Sequence, residues 1–474
     1  KHGLKVYLRN PSSYTPLQQE NWPKEGTKGR SLLLGMDETL NKQQIAQFSA
    51  ADAENFPKYE AMLNRFADAI GPLLDSAAPD IRKISAGSLL DKLRALPSFK
   101  PLLQTGLSVG GELSQFLQLL TAPTTRILKH WFQSEPLMAT LATDSVIGAM
   151  ITPDTPGSGY VLLHHVMAQV GGVRGAWGYP EGGMGAVSEA IASSARASGA
   201  HIHTNQRVSS ILLDSVGRVA GVETEDGSRV YSSTVLCNAT PAQLLSLLPE
   251  DALPQDYRRD VAAVDYTSPV GKINVAISGL PNFLSDPSTS PSTVMPHHRC
   301  TVHLNCEHSS LINEAYEQAK QGIIPDKPLI EMTIPSSLDP TLAPKGCHVA
   351  LFFVQYIPYT LKHGQWDDAT KEQFAKQLFE TVEQYAPGFS SSVLGYEVLP
   401  PPDLERIFGL TGGNIFHGAM SLDRLFWSRP SPAGPGPFTP IPGLMMCGAG
   451  AHPGGGVMGA PGMIAAAAVL RGRN

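Results

Sequence analysis

Cysteine is scarce in this chain: five are scattered over 474 residues. They stand at 237, 300, 306, 347 and 447, odd in number and without a C-x-x-C pair. These features argue against a disulfide framework and a dithiol redox centre, and make a reducing compartment the default. Charge is thin as well. Charged residues make up 16% of the chain, the net charge is −6, and no long block carries one sign. That balance argues against a nucleic-acid partner. No run reaches the roughly 18 consecutive apolar residues of a membrane span. The patterns H-E-x-x-H and G-x-x-x-x-G-K-[ST] do not occur, so zincin and P-loop NTPase readings lose their usual support. Asn238-Ala239-Thr240 matches a glycosylation sequon, but it closes an apolar strand pattern and reads as coincidence.

What the chain does have is an apolar fraction of 42%, which is that of a globular protein. Its length suggests two or so domains. In residues 37–150 apolar side chains recur at spacings of three and four, as amphipathic helices require. The run Gly182-Gly183-Met184-Gly185 leads a helix with apolar positions Met184, Val187, Ile191 and Ala195. A short strand is predicted at 200–203. Three β segments follow, RVSSILLD, RVAGVETE and SRVYSSTVLCNA, separated by Asp-led turns at 214–217 and 226–227. Residues 265–400 mix β runs (KINVAIS, CTVHLNC, LIEMTI, HVALFFVQYIP) with helix, the pattern of a second lobe built on an antiparallel sheet. Residues 428–443 read as a Pro/Gly linker. Last comes a strand at 444–447, then Gly454-Gly455-Gly456-Val457-Met458-Gly459, which fits G-x-G-x-x-G, then an Ala-rich helix at 463–470. A dinucleotide fold opens with such a turn and places an acidic residue about 20 positions later. Here the turn stands at the far end of the sequence.

Other clusters have two readings each. The run HHRCTVHLNCEH at 297–308 holds zinc-binding residue types. If 300–306 is one strand, however, Cys300 and Cys306 lie about 20 Å apart and His303 faces away, so a packed strand is the better reading and no metal is expected. His164 and His165 sit in an apolar run and read first as a wall with hydrogen-bonded imidazoles, second as a proton donor or acceptor. Trp177 and Tyr179 could wall a site or sit in a core.

The order of these pieces resembles a known family. The marks are GGMGAVSEAI, GAHIHTNQRVSSI, GRVAGVETEDG and TVLCNATP, then GGNIFHG with a later RP, then GLMMCGAGAHPGGGVMGAPG. Together they are similar to the two-domain FAD-dependent amine oxidase and phytoene desaturase type of flavoprotein, across essentially the whole chain. The resemblance implies an α/β FAD-binding domain with an α+β second lobe, the fold of the glutathione-reductase and amine-oxidase type. It also implies an N-terminal βαβ unit, with its own G-x-G-x-x-G turn, that is expected ahead of Lys1. The implied division is 1–30 as the remnant of a connection, 31–170 as a helical substrate or lid region, 171–255 as part of the FAD domain, 256–435 as the substrate lobe, and 436–474 as the last FAD-binding strand, Gly loop and helix. The implied cofactor-binding residues are Val208, Ala239, Thr240, Gly448, Ala449, Gly456, Val457 and Met458. The glycines admit backbone close to the flavin, and the helix N-terminus turns its partial positive charge toward it. His452, His417 and Asn414 are the implied polar active-site candidates.

The expected activity is FAD-dependent oxidation of a hydrophobic organic substrate, with hydride passing to the flavin. The resemblance also implies a mitochondrial location, in the matrix or at the inner membrane. The alternative is a flavoprotein-fold scaffold or regulator with a mitochondrial protein partner. A disulfide reductase is disfavoured by the absent C-x-x-C. The amphipathic helices are compatible with peripheral membrane contact, although most such helices face a core.

Overall fold

A computed structural model describes residues 2–23, 29–79, 81, 87–288, 290 and 293–472. The chain divides into two compact units, each drawn from three segments. One comprises 1–64, 119–202 and 268–402; the other comprises 65–118, 203–267 and 403–474. The helical stretch 31–170 therefore contributes to both.

The first unit is built on a seven-stranded sheet. Its order is Val393–Leu399, Val270–Ile277, His348–Gln355, Leu329–Thr333, Thr301–Leu304, Ser13–Pro16 and Ser31–Leu34. All neighbours are antiparallel except Ser13–Pro16 beside Thr301–Leu304, so the antiparallel expectation holds for five of the six pairings. Period-two alternation turns Ile273, Val275, Ile277, Val302, Leu304, Ile330, Met332, Phe352 and Val354 to one face. The helix Asp368–Tyr385 covers that face with Phe374, Leu378 and Val382. Asp367 starts this helix by accepting from the Thr370 amide at 2.9 Å. The predicted strand across 300–306 is shorter than expected. Residues 296–299 form a 3-10 turn and Asn305 has φ 56°, so hydrogen-bonded pairing is confined to 301–304. Among the described residues no three His, Cys, Asp or Glu side chains cluster as a metal site.

The opposite sheet face is mixed, with Val349, Leu351 and Phe353 beside polar positions. Lys272, His303, Glu331 and Thr301 occupy the alternate positions, and His303 Nε2 lies 3.5 Å from Glu331 Oε1. Arg9 is buried between the rings of Trp177 and Tyr179, at 5.2 and 5.0 Å from their centroids, and donates to Thr301 Oγ1 at 2.6 Å. The two aromatic residues thus clamp a guanidinium rather than fill a core. His164 and His165 lie on the helix Ser158–Val166, where His165 Nδ1 is 2.9 Å from the Val161 carbonyl. The helix after the 182–185 glycine run spans Gly185–Ala197 and buries none of its residues. Its apolar positions Met184 and Ile191 are exposed, the reverse of what an amphipathic pattern ordinarily means. The strand predicted at 200–203 is absent: among the described residues it has no hydrogen-bonded partner strand.

In the second unit the predicted meander is present as Val208–Leu213, Val219–Thr224 and Arg229–Tyr231. Both turns are closed by their aspartates. Asp214 accepts from the Val216 and Arg218 amides at 3.0 and 2.9 Å, and Asp226 from the Ser228 amide at 3.0 Å. The chain returns along Val235–Cys237, which pairs in parallel with Leu444–Met446. Ile211, Val219, Leu244, Tyr257, Val261 and Met446 share one core. The stretch 428–443 is no free linker. It folds as a buried hairpin, Pro430–Ser431 against Gly434–Pro435, pinned by Ser431 Oγ donating to Asp260 at 2.7 Å.

Candidate functional site

The site is built where the two parallel strands of the second unit end. Cys447 donates to the Cys237 carbonyl at 2.9 Å, continuing the pairing one step beyond the strands. Each strand then turns into a loop and a helix. After Cys237 comes Thr240, buried, whose hydroxyl accepts from the Gln243 amide at 3.2 Å and caps the helix Pro241–Ser246. The same hydroxyl bonds Thr411 Oγ1 at 2.5 Å. After Met446 come the glycines and the helix Ala460–Leu470.

Two of those glycines are required by close approach. A Cβ on Gly448 would stand 2.6 Å from the Asn238 carbonyl oxygen, and one on Gly450 2.5 Å from Pro241 Cδ. The loop thus lies backbone against backbone on the other strand's exit. Gly459, with φ 67°, starts the helix Ala460–Leu470, whose first turn has no side-chain cap. Its free amides form a centre of partial positive charge. Val457 is 74% exposed with φ 55°, a conformation a β-branched residue adopts only under strain.

Arg429 fastens this loop to its neighbours. Its buried guanidinium donates to the carbonyls of Phe416 at 2.6 Å, Gly418 at 3.2 Å, Ala419 at 3.1 Å and Ala449 at 2.9 Å. The sequence reading used the RP pair only as a mark and gave Arg429 no role. Two carbonyl-rich loops far apart in sequence share one cation, and no local pattern announces that.

The three polar candidates differ in what they do. Asn414 staples its own loop. Nδ2 donates to the Thr267 carbonyl at 2.9 Å, and Oδ1 accepts from the amides of Phe416 and Gly418 at 2.9 and 3.2 Å. His452 is buried against Phe426, and its Nε2 is 2.9 Å from the Leu73 carbonyl. Burial, with Arg429 adding to it, holds this imidazole down at about 4. His417 is likewise held at about 4 by burial and then by Arg429. Its Nδ1 is buried without a hydrogen-bond partner, so of the three His417 alone offers an unengaged polar atom.

The cofactor candidates fall into three places. Val208 and Ala239 line one cavity of about 650 Å³, walled by Val222, Val235 and Leu247 and edged by Arg207 and Asn238. Thr240, Gly448 and Ala449 form the packed junction beside Asn238. Gly456, Val457 and Met458 stand at the exposed tip of the loop. Glycines that a Cβ would jam, an uncapped helix start and an orphaned imidazole nitrogen fit a large, flat, anionic cofactor of the flavin dinucleotide kind.

The family described as flavin containing amine oxidoreductase matches residues 148–470. The chain belongs to the flavin-containing amine oxidoreductase family. Its cofactor is FAD. The chain is 53% identical to pyridine nucleotide-disulfide oxidoreductase domain-containing protein 2 of Rattus norvegicus, over 99% of this chain and 81% of that protein. It is 25% identical to a phytoene desaturase (lycopene-forming) of Pseudescherichia vulneris, over 93% of this chain and 79% of that one. The fold is also that of an oxidoreductase from Methanosarcina mazei, with a TM-score of 0.52 at 17% identity, over 99% of this chain and 82% of that one. The amine oxidoreductase fold expected from sequence is therefore the fold of this chain.

Proposed function

We propose that this flavin-containing amine oxidoreductase family member oxidises a hydrophobic small molecule in the mitochondrion, using FAD held by its second unit. The observation that carries the reading is the glycine junction of Gly448 and Gly450 against Asn238 and Pro241, beside a cavity lined by Val208 and Ala239. When bound, FAD supplies the two-electron acceptor for substrate oxidation. The protein's own residues supply position and charge. Gly448 and Gly450 keep the loop close to the parent strand, and the uncapped start of Ala460–Leu470 favours negative charge near it. Arg429 locks the loops and adds a fixed cation that cannot be titrated away. His417, neutral at physiological pH, offers Nδ1 to accept a hydrogen bond or a proton. Asn414 and His452 act as positioning residues. The likeness to a phytoene desaturase supports the hydrophobic substrate, and the sequence resemblance supports the mitochondrial setting.

The test is the visible spectrum of the purified full chain. A flavin spectrum that bleaches under anaerobic reductant is expected, and fractionation should find the protein in mitochondria. A colourless protein that also fails to take up added FAD would overturn the oxidoreductase reading and leave a scaffold that binds a protein partner.

A further inference from the structure

We infer that Arg9 anchors a carboxylate, and that the hydrophobic substrate is therefore an organic acid. Only the word substrate rests on the oxidoreductase reading, since the anchor is built wholly within the first unit. The strand Val6–Leu8 pairs antiparallel with Gly178–Pro180, and the Arg9 amide extends that ladder by donating to the Trp177 carbonyl at 2.9 Å. Trp177 and Tyr179 are two residues apart in extended chain, so both rings fall on one side, and the Arg9 guanidinium lies between them.

Stacking of this kind holds the planar guanidinium in place. One of its nitrogens is engaged: Nη1 donates to Thr301 Oγ1 at 2.6 Å and reaches the Tyr179 hydroxyl at 3.4 Å. The opposite edge is not. Nε is buried without a hydrogen-bond partner, and among the described residues nothing accepts from Nη2. Nε and Nη2 together present the two parallel donors that grip a carboxylate.

Charge selects the occupant. An arginine does not shed its proton, and a buried charge without a partner is strongly unfavourable. Arg9 is 5% exposed, yet among the described residues no carboxylate stands within ion-pair reach of it. Glu331 faces His303 instead, at 3.5 Å. Asp144 feels the guanidinium from beyond that reach, and burial, followed by Glu331, raises its carboxyl to about 7, so it gives only part of a counter-charge at neutral pH. A ligand carboxylate supplies both the acceptors and the charge that are missing, whereas an amine would bring a second cation to the first. The sheet offers apolar ground for the rest of the molecule. His303 pairs with Glu331 and Glu331 with Phe353, so Phe353 shares a face with Thr301. Leu351 and Val349 follow on that face at intervals of two, and all three are only partly buried.

The experiment is titration calorimetry of the purified full chain with hexanoate, decanoate and phenylpropanoate, each beside the alcohol and the amine of the same carbon skeleton. At least one acid should bind roughly 10- to 100-fold more tightly than its alcohol, as hydrogen bonds to a charged partner allow, and its amine should bind more weakly still. Arg9→Met should erase that preference. Arg9→Lys keeps the charge, loses the paired donors and should retain only part of it. Should Arg9→Met fail to fold, the wild-type comparison and the lysine variant decide. Equal binding of acid and alcohol by the wild type overturns the proposal, as does tightest binding of an amine or no binding of any acid. An undiminished acid preference in either folded variant also overturns it. Calorimetry needs no turnover, so the two readings fail separately. Acid binding by a chain that takes up no FAD would sink the oxidoreductase reading and leave the anchor standing; a flavin-loaded chain indifferent to the acid group would do the reverse.

Discussion

Replacing Gly448 by alanine adds one methyl group where the structure has no room. The new carbon would stand 2.6 Å from the Asn238 carbonyl oxygen, whereas carbon and oxygen in contact settle at roughly 3.3 Å. The obstacle is backbone at the exit of a strand, so it cannot rotate aside. Asn238 directly follows Val235–Cys237, and Gly448 lies two residues beyond Leu444–Met446. Relief requires the two parallel strand ends to part, and overpacking of this kind costs about 1–3 kcal/mol. Gly462→Ala is the matched control. Its Cβ would meet nothing nearer than the Cys447 carbonyl oxygen at 3.8 Å. It lies inside Ala460–Leu470, where exchanging Gly for Ala gains about 1 kcal/mol of helix propensity. The same added methyl thus has opposite signs at two glycines of one segment. Urea unfolding of both variants, paired with FAD titration by flavin fluorescence, measures the difference. Gly448→Ala should have the lower midpoint and hold FAD more weakly; Gly462→Ala should have an equal or higher midpoint. Equal stability and equal FAD affinity for both would refute the backbone-to-backbone junction as the basis of the site.

Other outcomes are open to direct measurement. Arg429→Met should destabilise the chain by about 3 kcal/mol or more, because the buried carbonyls of Phe416, Gly418 and Ala449 lose their donor; a denaturant midpoint near wild type would remove the clamp role. Burial lowers His297 to about 3 and His298, His417 and His452 to about 4. The unfolded chain takes up those protons near 6.5, so it binds more protons than the folded chain between the two values. Stability from these groups is intact above about 6.5 and falls as pH drops toward 4, by up to ~3 kcal/mol for each imidazole; urea midpoints level from pH 7 to pH 4.5 would contradict this. Phe352→Ala, at a fully buried position in the seven-stranded sheet, should cost about 3–5 kcal/mol, read as a lower melting temperature and less soluble protein.

The parts of the fold legible in sequence were those whose signals are local. The meander of 208–231 announced itself through β-branched alternation and Asp-led turns, because Asp214 and Asp226 close their turns within a few residues. The strand, glycine loop and helix of 444–470 were legible for the same reason. Features decided by distant partners were not. Composition alone made 428–443 look like a linker, but Asp260 and the Tyr257 ring, packed on Gly434, turn it into a buried hairpin. Arg429 looked like any arginine before a proline until the loops around it were folded. Nor did helical periodicity distinguish an inward row from an outward one, as Met184, Ile191 and the leucines of 89–117 show. Among the candidate site residues, chemistry nominated His417, His452 and Asn414 equally, and only their hydrogen-bond partners separated them.

The placement of Ser13–Pro16 beside Thr301–Leu304 bears on how the chain is made. Ser13 pairs with Thr301, so the ribosome adds roughly 290 residues between one strand and its neighbour. At about 5–20 residues per second, one edge of that strand waits unpaired for some fifteen seconds to a minute, although its other edge takes Ser31–Leu34 soon after synthesis. Neither unit can close from its own early segment, since each draws its last piece from beyond residue 267. A nascent fragment that stops short of residue 267 therefore has exposed strand edges rather than a finished domain.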